Sequence, residues 1–311
     1  MMDCTDRHCR YFHRQLSQHA LLYSEMIVDR AIIFGERQRF LRFNHIEHPV
    51  ALQLGGNDPR LLAEATKIAV DFGYDEVNLN VGCPSSRVKS GSFGAALMKK
   101  IDLVRSCVEA MKEAAGKIPV TVKSRIGVDD QNPYEVLPEF IKKVANSGCN
   151  VFIIHARKAL LGGMSPKDNR KIPPLQYPLV YEMQTKFPEL DIVLNGGLTD
   201  LNNIKSCMRN LVAGVMIGRE AYENPSILLR VDKEIFEEKE QGRDMKDAIW
   251  NMIEYCNREQ AEGTAIRGIL KHLKGAFKGQ ANSKDFKRLL FCNQTADLEK
   301  LKKLSKLVTT Y

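Results

Sequence analysis

Glu76-Val77-Asn78-Leu79-Asn80-Val81-Gly82-Cys83-Pro84-Ser85 reads as a buried strand that ends on a polar residue and breaks into a Gly-Cys-Pro turn. Short runs of the same β-branched and apolar character recur at 20–24, 50–54, 76–80, 120–124, 151–155, 191–195 and 214–217. Between them lie segments of helical period, such as Leu61, Leu62, Ala65, Ile68 and Ala69, or Leu103, Val104, Cys107, Val108 and Met111. Asn57-Asp58-Pro59 supplies one start signal, since Asp58 suits a cap and Pro59 the first helical position. Strand then helix, repeated through seven strands, predicts a parallel sheet with crossover helices.

A doubly wound sheet and a barrel both satisfy that alternation, and the polar residues decide between them. Gln53, Asn80, Lys123, His155 and Asn195 each fall at or near the C-terminal end of a different strand. A (β/α)8 TIM barrel collects those ends around one mouth, whereas a doubly wound sheet gathers its ligand groups at one switch point. Seven strands leave the barrel one short, so the first strand is expected to precede Met1, in a longer product. After Ile217 the strand signal stops, and Met245, Ala248, Ile249, Met252, Ile253 and Cys256 repeat at helical spacing. The expected division is a barrel domain over 1–235 and an all-helical domain over 236–311.

With 311 residues, 44% hydrophobic and 27% charged, the composition is that of a soluble globular protein. The longest aliphatic runs are a handful of residues, against the roughly 20 a membrane-spanning helix requires. The net charge of +8 is not spread evenly: residues 267–311 hold eleven basic and three acidic side chains, and the rest of the chain sums to neutral. A basic tail on a neutral body fits a polyanion partner, or else a solvated helical face. The eight cysteines form no C-x-x-C pair, which indicates neither a zinc site nor a disulfide framework. A reducing compartment fits best, the cytoplasm, or an organelle if a leader is missing; the expected form is a monomer without metal or membrane contact.

Cys83, between Gly82 and Pro84 just past a strand end, is placed where a thiol can react, although most lone cysteines are buried hydrophobes. Lys123 and His155 each follow an apolar run at a strand end, where a buried cation needs an anionic partner, a ligand or a neighbouring carboxylate. Asn195-Gly196-Gly197 and Gly218-Arg219, after the last two strands, supply glycine loops whose N–H groups can approach a phosphate while Arg219 pairs with it. A phosphorylated cofactor is expected there.

These stretches resemble the tRNA-dihydrouridine synthases, in the branch acting on uridines 20 and 20a of the D-loop. The likeness runs from Met1-Met2-Asp3-Cys4-Thr5-Asp6-Arg7 through 51–56, 78–85, Ser90-Gly91-Ser92-Phe93-Gly94, 120–127, His155-Ala156-Arg157-Lys158-Ala159, 165–170, 195–197 and Gly218-Arg219 to Lys271-His272-Leu273-Lys274-Gly275 and on to Gln280. The resemblance implies an FMN enzyme that reduces the carbon 5 to carbon 6 double bond of uridine with NADPH, using a barrel and a helical tRNA-binding domain. It makes Cys83 the general acid toward carbon 5 while reduced FMN delivers hydride to carbon 6. It puts Met1, Gln53, Lys123 and His155 on the flavin, and Asn195, Gly196, Gly197, Gly218 and Arg219 on its phosphate. Asn80 would hold the uracil, Arg157, Lys167 and Arg170 would meet the tRNA near the mouth, and Lys284, Lys287 and Arg288 would grip its backbone. Family members carry a strand ending in Ala-Pro ahead of Met-Met-Asp, which this sequence does not include. The rival readings are an FMN barrel acting on a free pyrimidine, which needs no basic helical domain, and a non-catalytic tRNA-binding derivative, which needs no proton donor.

Overall fold

The computed structural model describes residues 1–85, 91–162, 164–209, 212–239, 243–281, 283–291, 299, 302, 303 and 306. Ser90 of the signature, Cys292 and Lys300 of the basic tail lie outside these residues. Seven strands form one sheet in sequence order: β1 (Leu22–Val28), β2 (Val50–Gly55), β3 (Glu76–Val81), β4 (Val120–Arg125), β5 (Val151–His155), β6 (Asp191–Asn195) and β7 (Gly214–Met216). Every pair from β2 to β7 is parallel. A sheet that never reverses its strand order has no switch point, which excludes the doubly wound alternative and makes this the TIM-barrel type of sheet. β2 and β3 are buried at every position, as strands covered on both faces must be. The first strand differs from expectation, covering 22–28 rather than 20–24: Ser24 and Glu25 interrupt the apolar run, but the sheet continues through them.

The crossover helices follow their sequence signals. Asp58 caps the helix Pro59–Asp71 by accepting the N–H of Arg60 at 2.9 Å, and Leu62, Ala65, Ile68 and Ala69 form its buried face. Ile101–Ala115 buries Val104, Cys107, Val108 and Met111 at the same spacing.

Two compact units divide the chain differently from the 235/236 boundary expected from composition. One comprises Tyr23–Phe43 and Val50–Ile217 and holds the sheet; the other comprises Met1–Leu22, Asn44–Pro49 and Gly218–Tyr311. The physical reason lies in long-range polar pairs that sequence pattern does not reveal. Asp6 caps the helix Arg7–Leu16 through the N–H groups of His8 and Cys9, both at 3.0 Å, and its carboxylate meets His272 Nε2 at 2.9 Å and Lys271 Nζ at 3.3 Å. Burial raises the Asp6 pKa, but the hydrogen bond and charge of His272 outweigh it and hold the carboxyl well below its usual range. Arg7 grips Glu259, in the helix Met245–Ala261, with two nitrogens, one of them at 2.6 Å. Arg10 Nε meets the buried Glu47 at 2.8 Å and Arg14 donates to the carbonyls of Glu47 and Pro49, both at 3.0 Å, which ties the 44–49 segment to this helix. The helix Met245–Ala261 buries Met245, Ala248, Ile249, Met252, Ile253 and Cys256 as the periodicity predicts.

Candidate active site

Side chains two apart on a strand share a face, and residues paired in register across parallel strands point the same way. Gln53 pairs with Asn78, Asn78 with Thr121, and Asn80 with Lys123. Lys123 pairs with Ile153, Arg125 with His155, and His155 with Asn195. Gln53, Asn80, Lys123, Arg125, His155 and Asn195 therefore lie on one face of the sheet, toward the C-terminal ends of its strands.

A chain of buried amides fixes the turn that carries Cys83. Asn80 Oδ1 accepts the backbone N–H of Gly82 at 3.0 Å and of Cys83 at 2.9 Å, while its Nδ2 donates to Gln53 Oε1 at 2.8 Å. Gln53 Nε2 donates to Asn78 Oδ1 at 2.9 Å, Asn78 Nδ2 to Thr121 Oγ1 at 2.7 Å, and the Thr121 hydroxyl to Glu76 Oε1 at 2.6 Å. Each buried polar group in the chain is satisfied by the next, so the turn is held rather than merely permitted. The Cys83 carbonyl accepts the N–H of Ala95 at 3.0 Å, and the thiol is partly buried with Sγ 3.6 Å from Ser85 Oγ. Asn80 Oδ1 is committed to the turn, which leaves the second hydrogen of its Nδ2 as the group it can offer a base.

Lys123 sits beside that turn. Burial, with Arg125 next to it, pushes its ammonium down to about 8, and the charged form is favoured by the Cys83 thiol rather than by a carboxylate. Among the described residues no ion pair joins Lys123. Arg125 is 3% exposed. Burial lowers its pKa to about 10, with Arg170 and Arg157 adding to the lowering and Cys83 opposing it. The mouth is thus cationic around a thiol.

His155 ends β5 against the loop after β6. A Cβ on Gly196 would come within 2.5 Å of His155 Cδ2, and one on Gly197 within 2.5 Å of Leu175 Cδ1; both residues also have positive φ, +110° and +72°. Only glycine fits this double turn, which keeps its backbone open beside the imidazole. Asn195 Nδ2 donates to the Met216 carbonyl at 2.7 Å, and the Tyr177 hydroxyl donates to the Gly196 carbonyl, locking the loop from both sides.

Of the other expected residues, the half-buried Arg157 donates to the Lys171 carbonyl at 3.3 Å and to that of Pro173, bracing the following loop. Lys167 is exposed and precedes the short 3-10 turn Asp168–Arg170, whose last residue, Arg170, is half-buried. Met1, Gly218 and Arg219 belong to the other unit, where the Met1 sulfur lies 3.4 Å from the position of a Cβ on Gly218, and Arg219 opens the short helix Arg219–Glu223. Lys284 and Arg288 are exposed and Lys287 half-buried on the helix Ser283–Phe291, which turns Phe286 and Leu290 inward. Sequence reading missed Arg125 and Asn169, both buried, whose roles lie in contacts to distant carbonyls. The one available signal was Arg125 standing two residues after Lys123, on the same face.

No described helix is long and apolar enough to cross a membrane, and among the described residues no group of His, Cys, Asp and Glu could hold a metal ion. Among the described residues no disulfide joins the cysteines.

Comparison with known proteins gives this arrangement a context. The chain is 49% identical over 312 residues to the tRNA-dihydrouridine(20/20a) synthase of Escherichia coli (strain K12), covering 99% of this chain and 90% of that protein. It is 51% identical over 290 residues to the protein of the same name from Synechocystis sp., covering 93% and 86%, and 51% over 289 residues to that of Vibrio cholerae, covering 93% and 88%. Among solved structures, morphinone reductase in complex with tetrahydroNAD is similar at a TM-score of 0.51 and 12% identity, over 74% of this chain and 82% of that one. TcOYE with pHBA is similar at a TM-score of 0.54 and 11% identity, over 74% and 83%. These structures support the barrel fold. The dihydrouridine synthase (Dus) family description matches residues 1–310, and the chain belongs to that family of enzymes.

Proposed function

We propose that the chain reduces uridines 20 and 20a in the D-loop of tRNA to 5,6-dihydrouridine, with FMN as cofactor and NADPH as reductant. The relatives' names support the reaction and the position, and the Cys83 turn beside Lys123 is the observation that carries it. A cation without a carboxylate partner among the described residues and a glycine turn that no Cβ could enter are what an anionic, phosphorylated flavin requires of its site. Lys123, Gln53 and His155 would hold the ring system, and Asn195, Gly196 and Gly197 the phosphate. For Met1, Gly218 and Arg219 the assignment to flavin rests on the family resemblance alone. When bound, FMN would take up hydride from NADPH and supply it to carbon 6 of the uracil.

The protein's part is placement and a proton. Asn80 fixes Cys83 and offers its remaining N–H to the base. Cys83 gives its thiol proton to carbon 5, with the Lys123 ammonium beside it to balance the charge left on sulfur. Arg157, Lys167 and Arg170 would meet the tRNA near the mouth; Lys284, Lys287 and Arg288, in the helical region 236–311, would grip its phosphates. A monomer suffices for this chemistry, and no metal enters it.

The test is the absorption spectrum and extracted cofactor of the purified protein, followed by nucleoside analysis of tRNA lacking dihydrouridine after incubation with NADPH. FMN in the protein and dihydrouridine at 20 or 20a are expected. Protein that neither carries nor takes up FMN, or that leaves both positions as uridine, overturns the reading.

A further inference from the structure

Arg125 is the last residue of β4, and its buried guanidinium is shared between two loops, the turn after β3 and two points of the connection after β5. Nε donates to the Gly82 carbonyl at 3.3 Å, in the turn after β3. Nη1 donates to the Lys158 carbonyl at 3.1 Å, after β5, and to the Asn169 carbonyl at 3.0 Å, in the 3-10 turn between Lys167 and Arg170. All three acceptors are neutral, and among the described residues no carboxylate pairs with this group. A buried cation held only by carbonyl dipoles cannot give one up cheaply, because nothing else nearby offsets its loss of water. The guanidinium is also planar, with donors in a fixed fork, so moving one acceptor turns the plane that the other two share.

Asn169 makes the far part of the loop after β5 a rigid partner. Its Oδ1 accepts the N–H of Leu160 at 2.7 Å and its Nδ2 donates to the carbonyls of Leu160 at 2.9 Å and Met164 at 3.3 Å. Asn169 is fully buried, while Lys167 beside it is exposed. The stretch that carries the exposed Lys167 and the half-buried Arg170 is therefore bolted, through one backbone carbonyl and one side chain, to the residue preceding Cys83.

We propose that Arg125 is a positioning residue that couples the loop carrying Lys167 and Arg170 to the turn carrying Cys83, so that RNA held by the first fixes the thiol of the second. This rests on the function proposed above. The coupling accounts for a buried arginine that shares the face of Lys123 and His155 yet donates to loop carbonyls.

Arg125→Lys keeps the charge but cannot span three carbonyls. With FMN-loaded variant and unmodified tRNA, single-turnover formation of dihydrouridine should fall on the order of a hundredfold, the scale of a misplaced reacting group, while FMN content and tRNA affinity hold. Amide hydrogen exchange of the protein without RNA should quicken in both 79–85 and 158–171, and not in the middle of β4. Asn169→Ala frees the loop after β5 without touching β4, and combined with Arg125→Lys it should add little to the loss, as two members of one linkage do. Additive losses, exchange that quickens in one loop only or in neither, or a fall in FMN content alone would overturn the coupling. If the unaltered protein forms no dihydrouridine, the functional reading fails instead, and the exchange measurements still decide whether the loops are linked.

Discussion

Asn80 Oδ1 accepts the backbone N–H of Cys83 at 2.9 Å, and the same oxygen accepts that of Gly82 at 3.0 Å. One side-chain oxygen thus sets the direction in which the thiol leaves strand β3. Removing it in Asn80→Ala strands two N–H groups and deprives Gln53 of a donor, at a cost of about 1–3 kcal/mol per buried group left unsatisfied. Urea unfolding monitored by circular dichroism should show a lower midpoint with an unchanged slope, and Cys83 should become more accessible to alkylation. An unchanged midpoint would mean that water replaces the side chain at no cost.

Gly196 faces His155 more closely than any side chain could. Gly196→Ala places a Cβ within 2.5 Å of the imidazole at a φ of +110°. Such strain costs about 1–3 kcal/mol. The loop after β6 should shift, and FMN retention on gel filtration should fall well before the protein unfolds.

The helix Arg7–Leu16 carries two histidines kept neutral by burial. His8 is lowered to about 4 by burial and then by Arg7, and His13 to about 4 by burial and then by His272. With folded pKa values below the unfolded 6.5, the unfolded chain binds more protons between pH 6.5 and 4, so stability should rise with pH across that window and be lost as pH falls through it. Each group contributes at most about 1.4 kcal/mol per pH unit. His13→Gln should flatten the dependence of the urea midpoint on pH between those limits; an equally steep profile would show that His13 is already charged in the folded protein.

The strands were legible because buried parallel strands read as unbroken apolar runs, and the site because polar residues at their ends stand out against that background. Asn80, Lys123, His155 and Asn195 needed nothing more than their place at the end of a run. β1 was read short because Ser24 and Glu25 carry no apolar signal, although the sheet pairs through them. What sequence pattern could not supply is pairing across the chain: Asp6 with His272, Arg7 with Glu259, and Arg125 with three loop carbonyls depend on which segments meet. The first two of these pairs explain why the first 22 residues join the C-terminal helices in one unit.

Lys284 and Arg288 project into solvent from the helix Ser283–Phe291, with Asp285 3.1 Å from Arg288 as their local counter-charge. Changing Lys284, Lys287 and Arg288 together to Ala should weaken tRNA binding. It should also flatten the log–log salt dependence by roughly 0.7 to 0.9 per lost phosphate contact. FMN content should not change. A titration of tRNA across a salt series checks this, and an unaltered slope would make these side chains an ordinary solvated face.

The central claim is that the Cys83 thiol gives the proton to carbon 5. Cys83→Ala, loaded with FMN and mixed with NADPH and tRNA lacking dihydrouridine, tests it by nucleoside mass spectrometry at positions 20 and 20a. Flavin and tRNA should remain bound while dihydrouridine formation falls about a hundredfold to ten-thousandfold, the range for losing a general acid. Formation at the unaltered rate would contradict it and assign the proton to another group.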